Sequence, residues 1–204
     1  MGEPLANEAA VWGAIERIHR DLGLSARHLT VSTIGIVPGI RSLAGRPLPV
    51  NLAVSLHAAN DELRNTLVPM NKRYPLQQLM GACADYLAVK GRRISFEWAL
   101  IDGVNDRDSD AKELAALSTR FRLAAHVNLI PLNPTPGWPT VGSSPARVRE
   151  FRDLLERLGV NATVRRNRGT DIDAACGQLA AGQHVELRAA RPRVSAPGTS
   201  GSPR

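Results

Sequence analysis

The sequence predicts an α/β fold that forms part of a βα (TIM-like) barrel. Short apolar runs rich in β-branched residues alternate with longer segments of helical period, and the alternation repeats about four times. Several of the short runs are almost wholly apolar, as strands buried in a parallel sheet are. The predicted strands are residues 28–33, 52–57, 93–101, 125–131 and 161–165.

Helix boundaries follow from capping and breaking residues in the gaps between these strands. Asn7 is a suitable N-cap for a first helix that Gly23 closes. Pro75 opens another helix, and Pro145 opens a third that ends at Gly159. The sequence contains no repeat beyond the βα alternation and no linker long enough to separate two domains, so one barrel domain is predicted.

The two ends of the chain differ from the rest. Met1 is followed at once by Gly2-Glu3-Pro4, a turn that usually comes after a buried strand in a βα unit. We therefore expect an N-terminal strand upstream of this turn. From about Arg191 onward, Pro, Gly and Ser predominate without apolar periodicity, which predicts a disordered basic tail.

Composition and charge narrow the class of protein. With 204 residues, 43% of them hydrophobic, the chain can bury a sizeable core. It carries no signal segment and no apolar stretch long enough for a membrane span, so we expect a cytoplasmic protein. The formal net charge of +7 is compatible with a polyanionic partner such as RNA, and equally with an ordinary solvated surface.

The two cysteines receive different interpretations. Cys83 lies in the apolar stripe of the second predicted helix, so packing explains it. Cys176 follows a basic run of Arg165, Arg166 and Arg168, whose guanidinium groups favour the thiolate and hence a nucleophile. Its neighbours equally suit the apolar stripe of a short helix, and both interpretations stay open. Two such distant cysteines predict neither a disulfide framework nor a metal site.

Polar side chains follow several predicted strands at the point where each strand ends. In a βα barrel the carboxyl ends of the strands meet at one face, where function resides. We call the following set the polar rim: Gly2, Glu3, Ser32, Thr33, Ser55, His57 and Asn133. Serine hydroxyls can hydrogen-bond to a ribose or a carboxylate of a ligand. Asn133 can hydrogen-bond to a ligand edge that carries amide-like donors and acceptors, and Glu3 can accept from a ligand ammonium. Each residue alone could simply satisfy a backbone turn, and only their repetition favours a site.

Two further features have more than one interpretation. His57 either titrates near neutral pH or bonds to the turn that follows it, and its role stays open. Residues 102–106 (DGVND) resemble a calcium loop but lack the distal bidentate acid, so a turn is predicted. Glycine-rich phosphate motifs are absent from the sequence.

Six motifs, in this order and at coherent spacing from Met1 to about Leu187, resemble one family. They are Gly2-Glu3-Pro4 and residues 31–38 (VSTIGIVP), 55–58 (SLHA), 68–71 (VPMN), 128–134 (NLIPLNP) and 171–178 (DIDAACGQ). In these motifs the chain is similar to the RlmN family of radical S-adenosylmethionine RNA (adenine-C2)-methyltransferases. The resemblance implies a barrel of the radical S-adenosylmethionine type at 1–187, followed by the basic tail at 188–204.

The resemblance also implies roles for individual residues. Those that would contact S-adenosylmethionine are Gly2 and Glu3 at its methionine end, and Ser32, Ser55, Leu56, His57 and Asn133 around the rest. The cysteine that matches Cys176 carries a methyl group, which loses hydrogen to a radical made from a second S-adenosylmethionine and then adds to adenine C2. A radical route is sensible because C2 has no lone pair to attack a sulfonium. The implied partners are ribosomal RNA and transfer RNA, and we expect a monomer with no membrane partner.

The cluster-binding motif of the family is not found in this sequence. Family members hold a four-iron (4Fe-4S) cluster through a C-x-x-x-C-x-x-C motif ahead of the Gly-Glu-Pro turn, and use a further upstream cysteine. Cys83 and Cys176 cannot replace these thiolates, so we expect a fragment that is inactive alone. Two alternatives remain: an inactive remnant with residual RNA binding, and the related C8-methylating resistance enzyme.

Overall fold

Five parallel strands form one sheet in chain order, which confirms the predicted α/β barrel portion. The structure is a computed structural model that describes residues 2–123, 125–133 and 140–165. The strands are β1 (Thr30–Thr33), β2 (Asn51–Ser55), β3 (Ile94–Leu100), β4 (Ala125–Pro131) and β5 (Asn161–Val164). Their boundaries agree closely with the sequence prediction because each strand is an apolar run bounded by turn residues.

Helices connect the strands throughout the described residues. They are α1 (Glu8–Asp21), α2 (Val37–Gly45), α3 (Asp61–Leu67), α4 (Leu76–Lys90), α5 (Asp108–Arg120) and α6 (Pro145–Arg157). Asn7 is the N-cap of α1 as predicted, although its side chain makes no capping hydrogen bond. Pro145 opens α6 behind the Ser144 cap, and Gly159 follows with a φ of 79°. None of these helices is long and apolar enough to cross a membrane.

The two faces of the sheet differ in polarity. On β3 the side chains of Phe96, Trp98 and Leu100 are buried, and the Trp98 ring lies 6.0 Å from the ring of Phe151 in α6. This face therefore packs under the helices. Side chains alternate along a strand, so polar residues lie on the opposite face, which corresponds to the barrel interior. They include Ser32, Ser55, Ser95, Glu97, His126 and Asn128.

Cys83 is a core residue of α4, as the sequence predicts. Its side chain is fully buried and belongs to the cluster that contains Leu79, Met80 and Tyr86. Burial raises the pKa of the Cys83 thiol to about 12. The thiol therefore stays protonated at neutral pH, and this cysteine has no reactive form there.

Some sequence predictions lie outside the described residues. The division at residues 187 and 188, the disordered tail and the surroundings of Cys176 all follow Arg165, the last described residue. Residues 102–106 do lie in the described part, and they form the turn between β3 and α5 that the sequence predicts.

Candidate functional site

Glu3 links the start of the chain to the end of β1. Its Oε1 accepts a hydrogen bond from the Leu5 backbone N–H at 3.0 Å, and its Oε2 accepts one from the Ile34 N–H at 2.8 Å. Ile34 follows β1 directly. The carboxylate thus lies at the carboxyl end of that strand, and each of its oxygens retains a lone pair for a further donor.

Gly39 allows this turn to approach α2 closely. A Cβ placed on Gly39 would lie 2.8 Å from the Cβ of Leu5, which is closer than real Cβ contacts come. Leu5 is itself buried, and it lies two residues after Glu3. The position of the Glu3 carboxylate therefore depends on the absence of a side chain in α2.

Ser32 and Thr33 end β1 but point to opposite faces. The Thr33 hydroxyl is buried and accepts hydrogen bonds from the N–H groups of Gly35 at 3.0 Å and Ile36 at 3.4 Å. The Thr33 hydroxyl is therefore an acceptor within the turn into α2, and Thr33, contrary to the sequence prediction, is not an accessible member of the polar rim. Ser32 is exposed on the barrel-interior face, beside Ala53 of β2. Of the two hydroxyls, that of Ser32 is the one accessible to a ligand.

The end of β2 places Ser55 and Leu56 differently. Ser55 is partly buried and aligned with Glu97 of β3 on the barrel-interior face. The Leu56 side chain is fully buried in the core, and its backbone N–H donates to the Glu97 carbonyl at 3.0 Å. Leu56 therefore fixes the strand end, whereas Ser55 presents a hydroxyl at the interior face.

His57 bridges β2 and β3 in a left-handed backbone conformation. Its φ is 58°, and its Nδ1 accepts a hydrogen bond from the Ala99 N–H at 3.0 Å. Burial, together with the Arg64 charge, lowers the pKa of the imidazole to about 4. The ring is therefore neutral near pH 7, with its proton on Nε2. The partner of the ring is thus β3 rather than the turn that follows His57.

Arg64 of α3 is a buried arginine that joins the ends of β1 and β2. Its Nη2 donates to the carbonyls of Ile34 at 2.8 Å and Ser55 at 3.2 Å, and its Nε donates to the Leu56 carbonyl at 3.0 Å. Its Nη1 donates to the Asn71 Oδ1 at 2.8 Å. Burial lowers the pKa of the guanidinium to about 10, so it remains charged at neutral pH. A buried and an exposed helix arginine look alike in sequence, so the sequence does not predict this role of Arg64.

Asn105 is a second residue that the sequence analysis did not identify. It is fully buried in the turn after β3, and its Nδ2 donates to the carbonyls of His57 and Ala99. Its Oδ1 accepts from the Ile101 N–H, and its carbonyl accepts from the Trp98 indole at 3.1 Å. The turn is therefore a structural support for the end of β2.

A polar row crosses the barrel-interior face at the level of Ser55. Glu97 aligns with Ser55 on one side and with Asn128 on the other. Its carboxylate accepts hydrogen bonds from the Ser95 hydroxyl and the Asn128 amide, each at 2.7 Å. A carboxylate inside the apolar run of β3 is the sequence signal that could have identified this row.

The remaining predicted site residues lie further along the chain. Asn133 is two residues beyond the end of β4, at the same edge of the sheet as the ends of β1 and β2. Gly2 is exposed at the start of the described residues. Cys176 lies outside the described residues.

The residues present do not fit a four-iron cluster. Such a cluster is held by three or four cysteine thiolates, whereas this chain has only two cysteines, Cys83 and Cys176, and Cys83 is buried and protonated within α4. Among the described residues, no group of three His, Cys, Asp or Glu side chains could hold a metal ion. The polar rim, by contrast, has the hydroxyl, carboxylate and imidazole groups that suit a nucleoside with an amino-acid end.

Curated relatives are 47–57% identical to this chain over the aligned residues. A probable dual-specificity RNA methyltransferase RlmN from Parafrankia sp. is 56% identical over 195 residues, covering 94% of this chain and 50% of the relative. The corresponding proteins of Desulforamulus reducens and Frankia casuarinae are 51% and 57% identical. This chain therefore spans about half the length of the curated relatives it matches. No protein-family model matches it.

Solved structures agree with these relatives. A radical SAM methyltransferase from Sphaerobacter thermophilus has a TM-score of 0.83 and 51% identity, covering 87% of this chain and 52% of that one. A domain of a pyruvate-formate lyase-activating enzyme from Bacteroides vulgatus, 17% identical with a TM-score of 0.63, shares the fold. The chain belongs to the RlmN family of radical S-adenosylmethionine methyltransferases.

Proposed function

We propose that this chain forms the S-adenosylmethionine-binding portion of an enzyme that methylates C2 of adenine in RNA. The observation that carries the proposal is the set of polar groups at the carboxyl ends of adjacent strands. Glu3 is bonded to the end of β1, Ser32 lies on β1, and Ser55 and His57 lie at the end of β2. Asn133 follows β4 at the same edge, as a ligand site in a βα barrel requires.

The spacing of these groups suits an elongated ligand laid across the strand ends. Neighbouring strands are about 4.8 Å apart, so the three intervals from β1 to β4 span roughly 14 Å. A ligand with an amino-acid group at the Glu3 end and a purine at the Asn133 end would cover this distance. The hydroxyls of Ser32 and Ser55 would lie between them, where the carboxylate and the ribose need polar partners.

Each rim residue has a defined hydrogen-bonding capacity. Glu3 uses one lone pair of each carboxylate oxygen for a backbone N–H, which leaves acceptors for an ammonium group. His57 is neutral, and the bond to its Nδ1 fixes the proton on Nε2, so the ring is a donor towards a ligand. Arg64 donates to the backbone carbonyl of Ser55, and Asn105 donates to that of His57. These two bonds fix the backbone that carries the rim side chains of β2.

We further propose that Cys176 carries the methyl group that is transferred. Its basic neighbours favour the thiolate that a first methyl transfer needs. In the complete protein, an iron-sulfur cluster would supply the electron for the radical chemistry. The residues of this chain do not fit that cluster, so the chain alone is expected to bind S-adenosylmethionine without cleaving it.

The RNA partners are also proposed from the family. The relatives are named dual-specificity RNA methyltransferases, which supports ribosomal and transfer RNA as substrates. The net charge of +7 adds a sequence-independent attraction to RNA. We propose a cytoplasmic location for the protein, since ribosomal and transfer RNA are found there.

Calorimetric titration of the purified 204-residue chain with S-adenosylmethionine tests the binding proposal. We expect binding that Ser32→Ala and Ser55→Ala each weaken by about tenfold, since each removes a hydrogen bond to a polar ligand. Ser109→Ala is the matched control, because Ser109 is exposed on the first turn of α5. Equal affinities for all three variants would contradict the proposed site.

Reconstitution of the same chain with iron and sulfide tests its expected inactivity. We expect no cluster absorbance and no cleavage of S-adenosylmethionine to 5′-deoxyadenosine. For the regiochemistry, the chain can be coexpressed with the remaining half of the Parafrankia relative, and digested RNA analysed by mass spectrometry. Appearance of 2-methyladenosine supports the proposal, whereas 8-methyladenosine would assign the C8 reaction instead.

A further inference from the structure

We infer that Glu97 is a further S-adenosylmethionine-binding residue, which accepts hydrogen bonds from the ribose hydroxyls of the ligand. This role rests on the proposed binding of S-adenosylmethionine across the strand ends. β3 lies between β2 and β4 in the sheet, yet the polar rim contains no residue of β3. Glu97 of β3 aligns with Ser55 of β2 on the barrel-interior face. It therefore lies between the strands that carry Ser55 and Asn133, where the ribose of the proposed ligand would cross the sheet.

Two short hydrogen bonds orient the Glu97 carboxylate. Its Oε1 accepts from the Ser95 hydroxyl and its Oε2 accepts from the Asn128 amide, each at 2.7 Å. The Leu56 N–H donates to the Glu97 backbone carbonyl at 3.0 Å, which fixes the residue against β2. A carboxylate has about four lone-pair sites, so each oxygen can still accept from a further donor. The side chain is therefore held in place with an acceptor site available on each oxygen.

The charge of Glu97 has no partner of opposite charge in the described part of the chain. None of the ion pairs among residues 2–123, 125–133 and 140–165 includes Glu97. Both donors to its carboxylate, Ser95 and Asn128, are neutral. The side chain is partly buried, where water compensates a charge less well than at an exposed position. Further donors from a ligand would therefore stabilise this carboxylate, because hydrogen bonds to an ionised acceptor are the stronger kind.

Ala99 leaves the carboxylate of Glu97 accessible from the polar rim. Residues two apart on a strand share a face, so Ala99 is the next interior-face residue towards the end of β3, roughly 6.6 Å along the strand. Its side chain is a single methyl group, and both residues are partly buried. The Ala99 N–H donates to the His57 Nδ1 at 3.0 Å, which places the rim residue His57 beside it. A larger side chain at position 99 would lie between Glu97 and a ligand at the strand ends.

A ribose diol is the ligand group that fits two such acceptors. Free S-adenosylmethionine carries neighbouring 2′ and 3′ hydroxyls, and both can donate. Acidic side chains accept from ribose hydroxyls in dinucleotide sites for the same reason. A nucleotide within an RNA chain keeps only its 2′ hydroxyl, because its 3′ oxygen is esterified. The pair of acceptors therefore favours the ribose of S-adenosylmethionine. The Ser55 hydroxyl can contact the same ribose, since its strand lies about 4.8 Å from β3.

Calorimetric titration of the 204-residue chain with S-adenosylmethionine and with its 2′-deoxy analogue tests this role. We expect the parent chain to bind the analogue about tenfold more weakly, the effect of one hydrogen bond to a charged acceptor. This comparison changes only the ligand, so it does not depend on how a variant folds. Equal affinities of the parent chain for the two ligands would overturn the role of Glu97.

Glu97→Gln connects the 2′ hydroxyl to this side chain. Glutamine keeps the length and shape of Glu97, and the Asn128 amide can turn to present its oxygen to the new amide. We expect this variant to bind S-adenosylmethionine about tenfold more weakly and to lose most of the preference over the 2′-deoxy analogue. Glu156→Gln, at the exposed end of α6, is the matched control and should keep both the affinity and the preference.

The pattern of affinities separates a ligand contact from a structural role. If Glu97 contacts the ribose, Glu97→Gln and loss of the 2′ hydroxyl remove the same bond, so their effects are not additive. If Glu97 only supports Ser95 and Asn128, the variant weakens both ligands by the same factor and keeps the preference, which would overturn the inference alone. Absence of S-adenosylmethionine binding by the parent chain would overturn the proposed function itself, and this role of Glu97 with it.

Discussion

The side-chain amide of Asn105 donates a 2.9 Å hydrogen bond to the backbone carbonyl of His57, a residue 48 positions earlier in the chain. The same amide bonds to Ala99, and the His57 ring bonds to the Ala99 N–H. These contacts support a left-handed residue that few side chains adopt unaided. Asn105 is therefore a positioning residue for the end of β2.

Replacement of Asn105 should destabilise the fold and weaken ligand binding together. Asn105→Ala leaves the Ile101 N–H and two carbonyls without a partner, so we expect the free energy of unfolding to fall by about 2–4 kcal/mol. Asn105→Asp keeps the acceptor for Ile101 but loses both donated bonds. Urea denaturation measures the loss, and a change below 0.5 kcal/mol in either variant, about the level of a neutral surface substitution, would contradict this role.

Arg64 should not tolerate even a charge-conserving substitution. Lysine carries one ammonium group and cannot reach the three carbonyls and the Asn71 amide that the guanidinium joins. We expect Arg64→Lys to lower the free energy of unfolding by about 2–4 kcal/mol. Arg41→Lys is the control, because Arg41 is exposed and lies 3.8 Å from Asp85. Equal stability of the two variants would show that the buried network contributes little.

Gly39 should be required for the position of Glu3. In Gly39→Ala the new Cβ meets the Leu5 Cβ at 2.8 Å, so either α2 or the turn that carries Glu3 must shift. We expect a loss of about 1–3 kcal/mol in stability and weaker S-adenosylmethionine binding.

Gly13→Ala is the matched control for this prediction. Gly13 lies within α1 with open space around it, so alanine there should raise stability by up to about 1 kcal/mol. Thermal unfolding and calorimetry of both variants provide the comparison. Unchanged ligand affinity in Gly39→Ala would indicate that Glu3 does not contact the ligand.

The pKa of His57 predicts a loss of stability in mild acid. The unfolded imidazole takes up a proton near pH 6.5, whereas burial keeps the folded ring neutral until about pH 4. The unfolded state therefore binds more protons between these values, and the free energy of unfolding falls as pH falls through this window, by up to about 3 kcal/mol. His57→Asn tolerates the left-handed backbone and cannot titrate there.

Urea unfolding of the parent and of His57→Asn at several pH values between 7 and 4 measures this contribution. The parent should lose more stability than the variant over the same window. NMR titration of the His57 ring gives its midpoint directly. A midpoint near 6.5, or parallel stability curves for the two proteins, would show that the ring is more solvated than its position indicates.

The strands and the helix starts could be predicted because they depend on local chemistry. The run at 125–131 is an apolar segment between turn residues, and it forms β4 over those residues. Proline at 145 has no N–H to lose, and it opens α6 for that reason. Cys83 was assigned to the core from helical spacing alone, and it is buried there.

The supports of the site could not be predicted because their partners are remote in sequence. Arg64 reaches Ile34, 30 residues away, and Asn105 reaches His57, 48 residues away. A residue type does not reveal whether its side chain turns inward. The polar alternation of β3 was visible in the sequence, but only the sheet register brings Glu97 beside Ser55 and Asn128.

The sequence by itself determined the order of strands and helices, the core and the residues that end each strand, because periodicity and turn chemistry act over a few neighbouring residues. It also carried the motifs by which the family is recognised. Only the tertiary structure decided that His57 is neutral, and that Thr33 serves a turn while Ser32 is accessible. Those properties depend on burial and on contacts between distant segments, which arise when the sheet assembles.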